Sequence, residues 1–159
     1  VGVIDIPHLD DGLTTGDLAE ILEGKYDLFR GFVEANLEEI ADKMAESLEG
    51  SVENILAGGP VAENPYAEAM DWIRARFQKF LDSGESETIG MIGVPTGAAL
   101  AGVNRRLSAR RGPRRESFID SGLLRATLIA WFEAEGSSFG QSGESVNAQT
   151  GEIQKVLKQ

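Results

Sequence analysis

The chain has 159 residues, with 26 Asp and Glu against 15 Lys and Arg, and a formal net charge of −11. With no cysteine and one histidine, His8, it lacks the means for a disulfide framework, a thiolate metal site, a cysteine nucleophile and most catalytic triads. A hydrophobic share of 42% suffices for a buried core, while no window reaches the roughly 18 apolar residues of a membrane span and no basic-then-apolar leader opens the chain. The expectation is a globular, unexported protein with no membrane association.

Residues 1–13 (VGVIDIPHLDDGL) pair a short apolar run with a Pro- and Gly-containing loop, as in an arm or edge strand that needs a partner surface. His8 to Gly12 superficially suggests a calcium loop, but counting from Asp11 puts Leu13 and Leu22 where the third and twelfth ligands belong. Thr14 or Thr15 can cap a short helix with acids in its first turn, ending near Gly24. From Tyr26 to about Ala57, apolar residues recur every three or four positions: Phe29, Val33, Leu37, Ile40, Met44, Leu48, Val52 and Ile55 or Leu56. This spacing predicts one long amphipathic helix, on the order of 45 Å, with Gly50 as a potential kink and Gly58-Gly59-Pro60 as the stop. Asn64-Pro65 then reads as the start of a second helix with Tyr66, Met70, Ile73, Phe77 and Phe80 or Leu81 on one face, ending near Ser83-Gly84 and packing antiparallel on the first.

Beyond Gly84 the pattern changes. Residues 88–94 (TIGMIGV) suggest a glycine-broken strand or hairpin arm, and 98–107 a short helix leading into an arginine-rich loop. Residues 123–135 read as a strand, with helix as the alternative. Residues 136–143 have loop composition, and 144–158 resemble a hairpin turning near Thr150-Gly151. The predicted fold is α+β: a long N-terminal amphipathic helix and a second antiparallel helix packed on a small C-terminal antiparallel β-sheet. Residues 1–13 form the arm and 14–159 a single domain, helical over 14–84 and carrying the arginine-rich loop and β part over 85–159.

Charge runs as a gradient along this organisation. Residues 1–58 hold 14 acids and 3 bases, whereas 88–159 hold 6 acids and 9 bases. Six of those bases are Arg105, Arg106, Arg110, Arg111, Arg114 and Arg115. Guanidinium groups pair with carboxylates or phosphates, and the cluster has no interleaved aromatics for base stacking. The long helix carries acids including Glu38 and Asp42, readable as a solvated face, a surface for a basic partner, or carboxylate ligands for metal ions. Di-metal bundles usually add histidines on their helices, and His8 lies outside both, so no metal site, cofactor or catalytic residue is assigned. The glycines of TIGMIGVPTG lack the Gly-Lys-Ser/Thr of a phosphate loop.

Ser117-Phe118-Ile119-Asp120-Ser121-Gly122-Leu123-Leu124-Arg125-Ala126-Thr127-Leu128 resembles the Asp-Thr-Gly-x-Leu-Arg-x-Ser segment of neck and tail-completion (virion morphogenesis) proteins of tailed bacteriophages. Ser121 stands for the usual Thr, and Thr127 for a slightly displaced hydroxyl residue. The stretch from Gly93-Val94-Pro95 through Asn104-Arg105-Arg106-Leu107 to Trp131 is also similar to phage structural proteins in which a long acidic helical region comes first. Residues 93–133, about a quarter of the chain, carry the likeness. Neck proteins often continue with further strands and an aromatic-acidic-Gly-Thr segment that is missing here. The resemblance implies a non-enzymatic virion structural protein, assembled in the host cytoplasm into a homo-oligomeric ring in the head–tail connector, neck or tail terminus. Its partners would be other copies of itself and portal, adaptor or tail proteins, with DNA passing through without sequence-specific binding. On this reading Arg105, Arg106, Arg110, Arg111, Arg114 and Arg115 face one neighbour and Glu38 and Asp42 another, while Asp120, Ser121, Gly122, Leu123 and Arg125 carry the family motif. The alternative is a cytosolic acidic helical adaptor for a basic protein.

Overall fold

Thr14 opens the first helix of the computed structural model, which describes residues 1–7, 12–103, 114, 117–118, 123–134 and 137–139. Its hydroxyl accepts the Asp17 N–H at 3.1 Å and the Asp17 carboxylate accepts the Thr14 N–H at 2.9 Å, a reciprocal cap that starts α1 (Thr15–Tyr26). Thr15, fully buried, donates its hydroxyl to the Ile4 carbonyl at 2.6 Å and accepts the Ile6 N–H at 2.8 Å. Asp5 accepts the Gly16 N–H at 2.8 Å. These bonds hold the first residues against the α1 N-terminus. There β1 (Gly2–Val3) pairs antiparallel with β2 (Leu128–Ile129), Gly2 opposite Ile129 and Val3 opposite Leu128. The partner surface that the N-terminal segment needs is thus supplied by the chain itself.

α1 runs past Gly24 and ends at Asp27, whose φ of 51° is left-handed, a conformation that Asp tolerates better than most residues. The Glu23 carboxylate reaches back to accept the Phe29 N–H at 2.8 Å, capping α2 (Leu28–Ala35) from the preceding helix. The predicted long helix is divided, and not at Gly50. Asn36, with φ of −120°, separates α2 from α3 (Leu37–Leu56), and its buried amide donates to the Phe32 carbonyl at 2.8 Å. An amide that bonds its own backbone competes with the helical pattern. Gly50 lies inside α3 in regular helix, and Gly58 (φ 84°) follows its end.

α4 (Ala67–Asp82) returns antiparallel: Ser47 and Ser51 of α3 donate to the Pro65 carbonyl at 2.9 and 3.2 Å, while Glu39 lies 3.7 Å from Arg76. Asn64 accepts the Tyr66 N–H at 3.0 Å just ahead of α4. The core is aromatic and helical. Phe32 stacks on Phe77 with ring centres 4.4 Å apart, Phe29 and Phe80 meet them edge-on, and Leu28, Met70, Ile73 and Leu81 fill the remaining space. Leu128 and Ala130 join from the C-terminal side.

The α+β expectation is overturned. The described residues are mainly helical, with α1–α4 joined by the single-turn helices α5 (Gly97–Leu100) and α6 (Leu123–Ala126) and a 3-10 turn at Glu85–Glu87. A small C-terminal sheet carrying the helices is not what they form. β2 is spent on the N-terminal β1, and among the described residues β3 (Phe132–Ala134) pairs with β4 (Ser137–Phe139) alone, with Phe132 opposite Phe139. Residues 88–94 are turns rather than a strand because Gly90 and Gly93 take φ of 79° and 80°, which a pleated strand excludes. Of the 123–135 stretch, the described residues 123–134 are both helix and strand: the Thr127 N–H and hydroxyl return to the Leu123 carbonyl, closing one turn before β2 begins. Within the predicted loop at 136–143, Ser137–Phe139 form β4 instead; the rest of that loop, the predicted hairpin at 144–158 and residues 8–11 lie outside the described residues. None of the described helices is long and apolar enough to cross a membrane.

Candidate assembly surface

α3 is built with three faces, which follow from about 100° of rotation per residue. Ile40 and Met44 pack on the aromatic core, and the same face continues as Ser47, Ser51 and Asn54, which bond the Pro65 and Pro60 carbonyls. The inward face therefore turns from apolar to polar where α4 gives way to the 60–66 loop. A second face carries Leu37, Ala41, Ala45, Leu48, Val52 and Ile55, all exposed; Leu37 is 59% accessible, Val52 46% and Ile55 43%. A third face is acidic, with Glu38, Asp42, Glu46, Glu49 and Glu53 in solvent. Helix periodicity alone runs the first two faces together as one stripe. Separate spacings, 40-44-47-51-54 and 41-45-48-52-55, are nevertheless present in the sequence, and the serines mark which of them turns inward.

Little on the acidic face is neutralised. Lys43, the one base in α3, pairs with Glu46, which holds its ammonium above the usual lysine range, and Asp42 adds a weaker attraction. Glu39 is drawn toward Arg76, which also bonds Glu85 at 2.7 Å. Glu38, Glu49 and Glu53 make no ion pair among the described residues, although Glu38–Asp42, Asp42–Glu46 and Glu49–Glu53 are like-charge neighbours at i,i+4. From residue 44 to 73 there are six acids and no base.

The other predicted site residues fall into two groups. Arg114, half exposed, forms an ion pair with Glu87, which also accepts the Ser117 hydroxyl at 2.9 Å; this guanidinium ties its segment to the 3-10 turn after α4. Arg125 of the family motif makes two bonds to the Asp82 carboxylate, 2.7 and 2.6 Å, raising its own pKa, and its carbonyl accepts from the Gln78 amide at 3.2 Å. Arg125 is thus a clamp between α6 and the C-terminal end of α4, and the neighbouring Leu123 begins α6. Arg105, Arg106, Arg110, Arg111 and Arg115, with Asp120, Ser121 and Gly122, lie outside the described residues.

Two open clefts lie among the described residues. One of about 310 Å³ lies where Ile89 and Met91 cross Gly31, and its charges, Lys25 and Arg30 against Asp27 and Glu34, offset one another. The other, about 330 Å³, lies between α3 and the 60–66 loop, where Ser47, Ser51 and Asn54 are committed to backbone carbonyls. Neither presents a nucleophile beside a base. Among the described residues no group of three His, Cys, Asp or Glu is placed to hold a metal ion. What the described residues present instead is an acidic face next to an exposed apolar one. No protein-family model, curated protein or solved structure matches this chain.

Proposed function

We propose that this chain is a structural protein of a tailed-phage virion, forming a homo-oligomeric ring in the head–tail connector, neck or tail terminus. The observation that carries the assembly part of this reading is the acidic face of α3, with Glu38 and Asp42 in solvent beside Glu49 and Glu53 and Lys43 the one base of the helix. A row of like charges weakens its own helix, and a basic neighbour relieves that repulsion. The chain holds a concentrated source of base in Arg105–Arg115, so one copy supplies what the face of the next requires. Two different surfaces that recognise each other make a heterologous contact, the kind that closes into rings when its rotation permits. The likeness of residues 93–133 to phage neck and tail-completion proteins supplies the virion context, and an acidic ring leaves DNA free to pass without adhering.

Mass photometry of the full chain across protein concentration and salt tests this reading. A discrete oligomer at low salt that dissociates as salt rises is expected. A strict monomer at high concentration and low salt would contradict it.

A further inference from the structure

The acidic face of α3 accounts for charge, but it leaves the exposed apolar face beside it without a role. Ala41, Ala45, Leu48, Val52 and Ile55 alternate four and three residues apart, the spacing by which one helix seats another. With Leu37 the face extends roughly 27 Å at 1.5 Å per residue, and its apolar side chains stand in solvent while those of the neighbouring face are packed. Asp42 and Glu49 border it on one side. A second copy of α3 laid on this face would oppose acids to acids: the helix holds six acids, and its one base is already paired with Glu46. The border therefore selects against self-pairing and for the opposite sign.

We infer that the exposed apolar face of α3, centred on Leu48, Val52 and Ile55, docks an amphipathic helix of another protein whose apolar seam is flanked by Lys or Arg. The apolar seam supplies the contact area and the basic flank meets Asp42 and Glu49. This does not rest on the ring reading. It requires only one copy of the chain, and a ring could form with the face empty.

The test uses the full chain and a labelled three-heptad helical peptide with Leu at its seam and Lys beside it, read by fluorescence anisotropy. A second peptide keeps the seam and carries Glu in place of Lys. Saturable binding of the Lys peptide that weakens with salt is expected, with the Glu peptide at least about tenfold weaker. The paired substitution Val52→Asp with Ile55→Asp makes the surface more acidic, so binding by charge alone would tighten; docking on the apolar face instead predicts a loss on the order of tenfold or more. Circular dichroism should not change, because both positions are exposed, and the thermal midpoint should fall only slightly, through the like charge added beside Glu49 and Glu53. Equal binding of both peptides, or undiminished binding by the paired variant, would overturn the inference. So would absence of binding by the wild-type chain. In that case, dissociation of a wild-type dimer by the paired substitution would assign the face to a second copy, and a fall in thermal midpoint well beyond that small charge effect would assign it to another part of the same chain. Oligomer mass measured on the same samples reports separately on the ring.

Discussion

Thr15 shows how much one side chain can fix. Its hydroxyl, fully buried, donates to Ile4 and accepts from Ile6, and so joins the N-terminal segment to the first helix. Thr15→Val keeps the shape and strands both backbone groups, so a loss of about 1–3 kcal/mol is expected in urea unfolding, whereas Thr15→Ser should retain most of the stability. Asp17 and Thr14 were legible as a cap because their partners are three residues apart. The bonds of Thr15 reach back nine and eleven residues into a segment whose position no local pattern defines. Glu85 makes the corresponding case for charge. A hydrogen bond from Arg76, then one from the Ser83 hydroxyl, hold its carboxyl below the usual carboxylate range, against an opposing effect of burial. A depressed folded pKa means that the stabilisation is complete above the unfolded value and is lost as pH falls through the folded one. Glu85→Gln should therefore cost less than about 1 kcal/mol at neutral pH, as partly exposed pairs do, and the difference from wild type should vanish on acidification. A difference that grew on acidification would contradict this assignment.

At the scale of elements, the stacked Phe32 and Phe77, both fully buried, join α2 to α4. Phe77→Ala should cost about 3–5 kcal/mol, read from the urea midpoint at unchanged slope. The existence of both main helices was legible because an amphipathic period survives over many residues. Their division was not, since Asn36 falls between two stretches that continue the same period and acts through a buried amide. The small sheet was over-read for a different reason. The β-branched and aromatic residues of 123–135 do form strands, but β2 pairs with residues 2–3, a partner at the far end of the chain. Sequence spacing carries no information about that pairing. Glycine was misjudged at 88–94 as well: Gly90 and Gly93 serve positive φ, where a strand would waste them.

Across the whole molecule, charge is the most legible property and the one that most constrains function. The gradient from an acidic first third to a basic last part was read directly from residue counts, and α3 gathers much of the acid onto one exposed face. What periodicity missed is that this helix has two apolar faces, one packed and one open, because both obey the same 3.6-residue repeat. The arginines divide according to local geometry. Arg125 and Arg114 are held by Asp82 and Glu87, so their loss should act on stability before it acts on assembly.

The most direct test of the assembly account is a charge exchange followed by mass photometry at low salt. Arg110→Glu with Arg111→Glu should reduce the oligomer to monomer while leaving the thermal midpoint in place. Adding Glu38→Lys with Asp42→Lys to the same chain should restore the oligomer, because the two surfaces again carry opposite signs. Assembly unaffected by the first pair, or not recovered by the second, would contradict the claim that these two surfaces recognise each other.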